Sequence, residues 1–302
     1  MEAEKTVIIS KGGSLAELVL PDLRDGLYRG VRFDHSGVFR EIRCGGRVYS
    51  DRWLEGEEDP YRHDNVTGPA EEFSEIGYDE AAPGSPFLKI GVGTLLKADD
   101  APYAFTSSYQ VHKPGERSVR IREDGVLFRH CLRDGKWGYD YEKEVLWEED
   151  GSLLLRHRLC NTGSVSLSGT VYNHNFFPFA GAGTGAGSAV DLPFVPKGEW
   201  RRWPGDSPLA RLSPEGIRLD GDLVPGEKVC IESIVPADGS ALPYRFTVRS
   251  GKAGLGVAVS SEAPLCRLKV WGNHRVLCVE PFTPFNPAPG ETFAWTLKYE
   301  FI

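Results

Sequence analysis

A nearly all-β fold, in one large domain or two smaller ones, is what this sequence predicts, and three observations carry the expectation. The first is turn chemistry. Six Asp-Gly dipeptides begin at Asp25, Asp124, Asp134, Asp150, Asp220 and Asp238, and Gly12-Gly13 and Gly45-Gly46 join them. Such pairs supply the positive φ angles of tight hairpins. The second is a period of two between the turns, the signature of strands with one buried face. The third is the absence of any stretch of about twelve residues with a helical period. The 21 prolines would interrupt most candidates.

Along the chain, Met1-Glu2-Ala3-Glu4-Lys5 lacks the basic and apolar regions of a secretion signal. No segment approaches the ~18 apolar residues of a membrane span. The sequon Asn65-Val66-Thr67 is therefore read as fortuitous, and a cytoplasmic location is expected. A charged, irregular region from Arg52 to Gly84 is too long for an ordinary connection, and loops of that length usually carry function. Val119 and Ile121 then alternate with Arg120 and Arg122. A strand-like segment, Val165 to Val171, leads into Tyr172-Asn173-His174-Asn175-Phe176-Phe177. The glycine-rich run Gly181–Gly187 looks like a phosphate loop, but no Lys-Ser/Thr follows, and Pro193 and Pro196 exclude the helix it would need. It reads as a connection. Tyr244, Phe246 and Val248 form one face of a further strand, and Phe293, Trp295, Leu297, Tyr299 and Phe301 one face of the last.

Bulk composition removes several classes of function. The formal charge of −8 and pI near 5.5 leave no electrostatic footprint for nucleic acid or an anionic membrane surface. The six cysteines are widely spread without a C-x-x-C pair, which fits free thiols rather than zinc or a disulfide framework.

Two residues stand out as chemistry-bearing. His174 sits between two amides in an aromatic run. It reads as a proton donor, a metal ligand or a packed core residue. Glu280 ends Val276-Leu277-Cys278-Val279, apolar on both faces, and Pro281 biases it toward an extended conformation at the strand's end. A carboxylate there is expensive to desolvate unless it has donors or a task.

Taken together, Tyr172–Phe177 and Cys278-Val279-Glu280-Pro281, followed by Phe285-Asn286 and Pro289-Gly290-Glu291, resemble the aldose 1-epimerases (galactose mutarotases). Tyr28–Asp34, Gly68–Phe73 and Lys89–Gly93 are similar to segments of a divergent branch of that family. The resemblance implies an all-β fold, a large antiparallel β-sandwich (supersandwich) spanning residues 1–302 as one domain, an isomerase without cofactor or metal, and a small sugar as substrate. It also implies that His174 is the general acid and Glu280 the base. The Asn-Arg pair and His-Gly-Gly segment of the best-known members are missing. Arg32, His63-Asp64, Glu72 and Lys89 are the nearest replacements for sugar contacts, with Trp271, Phe176 and Phe282 as faces for a pyranose. Arg29, Arg32, Arg201 and Arg202 are candidates for a phosphate on the sugar. On this reading His174 is protonated and Glu280 ionised in the competent form. Two other readings stay open: a sugar-binding module of the same fold without turnover, and a metal-dependent enzyme using His63, Asp64, His174 and Glu280.

Overall fold

The computed structural model describes residues 5–197, 206–239 and 243–302, so Arg201 and Arg202 lie outside the described residues. The chain there folds into antiparallel strands with no helix, and none therefore is long and apolar enough to cross a membrane. Two sheets dominate. A ten-stranded sheet runs, edge to edge, through Ala210–Ser213, Gly216–Leu219, Ala189–Asp191, Tyr244–Ser250, Leu255–Ser261, Thr292–Phe301, Leu153–Asn161, Trp137–Trp147, Gly125–Asp134 and Glu116–Ile121. A six-stranded sheet has the order Pro196–Lys197, Lys228–Pro236, Arg267–Asn273, Leu277–Phe285, Gly169–His174 and Ala70–Phe73. Smaller sheets of four and three strands flank them.

The turn residues act where the sequence placed them, with one distinction. Asp124, Asp134 and Asp150 open turns between consecutive paired strands, as do Gly12-Gly13 and Gly45-Gly46. Asp25, Asp220 and Asp238 lie in other connections: Asp25 falls in the long loop between the paired strands Ser14–Val19 and Val38–Cys44, while the strands on either side of Asp220 and Asp238 pair elsewhere.

Period-two patterning decides which face is buried. In the last strand Trp295, Leu297 and Tyr299 are buried while Thr292, Ala294 and Thr296 are exposed. Tyr244, Phe246 and Val248 are buried in the same way. Ile121 departs from this pattern, 56% exposed on the edge strand of its sheet. Inward residues of the ten-stranded sheet (Val126, Tyr139, Leu155, Val248, Leu297) and of the six-stranded sheet (Val171, Ile231, Val270, Val279) form one apolar cluster. At roughly 25 cal/mol per Å² of apolar surface, this cluster is the main source of stability.

The alternation that aims Val171, Val270 and Val279 into the core turns their neighbours the other way. Tyr172 and His174, Lys269 and Trp271, and Cys278, Glu280 and Phe282 therefore share the opposite face of the six-stranded sheet. That face holds the site.

Candidate active site

His174 is the last residue of the Gly169–His174 strand. The strand begins four residues later than the sequence suggests and takes in the first half of the aromatic run. Glu280 lies within Leu277–Phe285 rather than at a strand end, and Pro281 continues the strand. Described pairing between these two strands stops at Tyr172 opposite Phe282. Beyond that point the Asn175 side chain takes over, donating to Val279 O at 2.8 Å while its Oδ1 accepts from the Tyr299 hydroxyl at 3.0 Å. A side-chain amide thus bridges the two strands where the proline cannot donate.

The other amide anchors His174 from behind. Asn173 points to the core side and donates to Glu71 Oε1 at 2.7 Å. Glu71 also accepts from the Lys143 ammonium and lies 3.1 Å from His157 Nε2. Burial opposes the Glu71 charge, but Lys143 and His157 outweigh it and hold the carboxyl down to about 2. Gly68 completes the mounting, since a Cβ there would meet the Phe176 backbone nitrogen at 2.1 Å. Only glycine lets the two backbones approach so closely.

On the open face, His174 Nε2 lies 3.4 Å from Glu280 Oε1, and both side chains are almost fully buried. They line a cleft of about 210 Å³ with Arg32, Trp53, His63, Asp64, Phe105, Thr106, Phe176, Lys269 and Trp271. The imidazole stacks on Phe176 with ring centroids 3.7 Å apart, and Phe176 stacks on Trp53. Trp271 meets His174 edge-on at 6.2 Å. His174 Nδ1 and both Glu280 oxygens are buried without a hydrogen-bond partner among the described residues. Native structures leave few such groups, and each calls for an explanation.

Burial pushes the Glu280 carboxyl up to about 7, against the pull of Lys269 and Arg32. Burial also holds the His174 imidazole well below the ordinary histidine range, and the cations Arg32 and Lys269 add to the effect. An imidazolium–carboxylate pair is therefore disfavoured in the empty cleft. Below about pH 7 the pair's one proton therefore rests on Glu280. The protonated His174 and ionised Glu280 expected from sequence differ from this neutral pair, because desolvation outweighs the attraction between the two charges.

The three early segments singled out in the sequence converge behind the cleft. Arg32 Nε donates to Glu72 Oε2 at 2.6 Å, and its Nη2 to the Tyr172 hydroxyl at 3.1 Å. Tyr172 donates in turn to Glu72, and Lys89 Nζ to Glu72 Oε1 at 3.2 Å. Burial opposes the Glu72 charge, yet Arg32 and Lys89 hold the carboxyl at about 2. Arg32, His63 and Trp271 thus reach the cleft as expected. Glu72 and Lys89 do not. Both stand behind Arg32 with their charges spent on each other, since an ionised group tolerates such burial only when paired. In this arrangement they hold Arg32 in place, and the cleft lining does not include them. Phe282 stacks on Tyr172 at 4.2 Å, beside the cleft rather than in its lining.

Sequence reasoning missed Trp53, Phe105 and Lys269. Arg32 lies over the Phe105 ring at 4.2 Å, and Phe105 meets His63 at 5.7 Å. The alternation of Leu268 and Val270 with Arg267, Lys269 and Trp271 was the available signal for Lys269. Trp53 and Phe105 come from irregular segments whose packing has no periodic signature. The four metal-ligand candidates line one cleft as two separate pairs, with His63 Nε2 3.9 Å from Asp64 Oδ2. Among the described residues no group of three or more His, Cys, Asp or Glu is placed to hold a metal ion.

Neither a family model nor a curated protein matches the chain. Solved structures do match. A galactose mutarotase-like protein from Lactobacillus casei superimposes with a TM-score of 0.57 at 13% identity, over 98% of this chain and all (100%) of that one. A galactose mutarotase related enzyme from Lactobacillus acidophilus gives 0.56 at 11% identity, over 98% and 97%. An aldose epimerase homologue from C. elegans gives 0.51 at 13% identity, over 99% of each. The chain has the galactose mutarotase-like fold that its motifs implied, in a form whose sequence has diverged far from these structures.

Proposed function

We propose that this protein is an aldose 1-epimerase, exchanging the α and β anomers of a small sugar through His174 and Glu280. The observation that carries the reading is their placement: two proton-transfer groups, buried, 3.4 Å apart, with hydrogen-bonding capacity left open toward one aromatic cleft. The ring oxygen and the anomeric hydroxyl oxygen of a pyranose are bonded to the same carbon. An acid and a base serving them must therefore sit side by side, each within roughly 2.6–3.2 Å of its oxygen.

The pair needs one proton in total. In the neutral tautomer Glu280 donates to the ring oxygen while His174 takes the proton of the C1 hydroxyl. The bond from C1 to the ring oxygen breaks, its electrons pass to that oxygen, and the C1 carbonyl forms. The pair is left as imidazolium and carboxylate. Rotation about C1–C2 presents the other carbonyl face, and closure runs the transfers backwards. Starting from the ionic tautomer the roles exchange, with His174 as acid and Glu280 as base, as the family resemblance implies. Either start completes the cycle. Trp271, Trp53 and Phe176 supply apolar faces for the sugar ring, and Arg32 and His63 supply donors at the wall.

The test is polarimetry, or NMR exchange between anomers, over a panel of aldoses and their 6-phosphates. Faster exchange of at least one sugar supports the proposal. Sugar binding without exchange identifies the chain as a carbohydrate-binding protein on the same scaffold.

A further inference from the structure

Lys269 has no part in any of the motifs, yet it occupies the most direct position on Glu280. The two residues are register partners on adjacent strands, and Lys269 Nζ stands 3.9 Å from Glu280 Oε2. That separation is too long for a hydrogen bond, so the lysine acts through its charge. Its side chain is 23% exposed, against 1% for the glutamate. The remaining groups facing Glu280 are already engaged or carry no permanent charge. Arg32 is bonded to Glu72 and Tyr172, and Arg267 lies flat over the Phe282 ring at 3.5 Å. His174, Tyr172 and Cys278 are buried and uncharged near neutrality. Glu72, ionised, works against a charge on Glu280. Among the described residues Glu280 is the carboxylate with which Lys269 pairs.

We propose that Lys269 is a positioning residue for Glu280, whose fixed positive charge across the strand pair lets this buried carboxyl release its proton and take it back at neutral pH. The inference rests on the acid–base reading of the site. Ring opening from the neutral pair turns Glu280 into a buried carboxylate, and a cation already in place favours that charge without reorganisation. Without the lysine the carboxyl keeps its proton to higher pH, and the pair stays locked in its neutral tautomer.

The decisive experiment titrates Glu280 itself, so that its outcome does not depend on turnover. The carboxyl infrared band is assigned by its loss in E280Q and followed against pH in wild type, K269Q and K269R. Lys269 is partly exposed and makes no hydrogen bond among the described residues, so both variants are expected to fold. In K269Q the Glu280 midpoint rises by about one pH unit or more, a shift set by one charge at this distance and reduced by solvent. In K269R it stays within a few tenths of a unit of wild type. For any aldose that the enzyme turns over, the alkaline limb of kcat/KM moves the same way. An unmoved midpoint in K269Q, or an equal shift in K269R, overturns the proposal. So does a K269Q enzyme with raised KM and a superimposable pH profile, which makes Lys269 a substrate contact instead. Titration as expected in a protein that exchanges no anomers leaves the electrostatic role standing and counts against the epimerase reading alone.

Discussion

Replacing Glu280 by glutamine exposes the energetic cost of the site, because the glutamate is held where it does not ionise readily. Its carboxyl lies at about 7 in the folded chain against 4.5 for the free group. At about 1.4 kcal/mol per unit, folding therefore carries a penalty of roughly 3 kcal/mol once the carboxyl is ionised in the folded as well as the unfolded chain. The folded value is raised, so the group's favourable contribution is complete below pH 4.5 and is lost as pH rises through about 7. Glutamine matches the protonated side chain in size and stays neutral. E280Q should equal wild type within about 1 kcal/mol near pH 4.5 and exceed it by up to about 3 kcal/mol near pH 8. Urea unfolding followed by tryptophan fluorescence at the two pH values measures the difference. Meanwhile catalysis should fall by about 10²–10⁴-fold, the usual worth of general acid–base participation. A variant less stable than wild type near pH 8, or a gap that ignores pH, would show that Glu280 is a stabilising ion-pair partner and refute the reasoning.

Other outcomes follow from the same geometry. His174→Asn should lose about 10²–10⁴-fold while remaining folded, and the double variant should lose less than the product, because both groups serve one proton-transfer sequence; single-turnover rates of the three variants check this. Arg32→Met leaves Glu72 buried with Lys89 as its remaining cation, so denaturant unfolding should report a loss of about 3–5 kcal/mol. Glu71 and Glu72, both held at about 2, contribute stability that is complete above pH 4.5 and fades as pH falls toward 2. An acid titration by circular dichroism should accordingly show native signal persisting well below pH 4.5. Dialysis against a chelator should leave the exchange rate unchanged, because anomer exchange requires proton transfer alone; loss of rate restored by one divalent ion would favour metal chemistry.

The parts of this molecule legible in the sequence are those governed by a period or a turn. The C-terminal strand shows its buried face residue by residue, and Gly12-Gly13 and Gly45-Gly46 show their hairpins. His174 and Glu280 were legible as unusual because each places a titratable group among apolar neighbours. Their protonation was not, since it depends on how completely the sheet and the Phe176–Trp53 stack exclude water. The roles of Glu72 and Lys89 were illegible for a related reason. A charge in sequence looks equally suited to a ligand or to another charge, and only the folded chain shows that Arg32 stands between them and the cleft. Trp53 and Phe105 reach the site from segments without periodicity, and no local rule places them.

The proposed function requires that the cleft exchange anomers through this pair. Two-dimensional NMR exchange spectroscopy, run on aldoses and their 6-phosphates with wild type, E280Q and H174N at equal concentration, measures that directly. Exchange cross-peaks that build up faster with wild type than in buffer, and shrink by roughly 10²-fold or more in both variants, are what the paired groups predict. Wild-type exchange no faster than buffer for every sugar, or near-normal exchange by a folded E280Q protein, would contradict it.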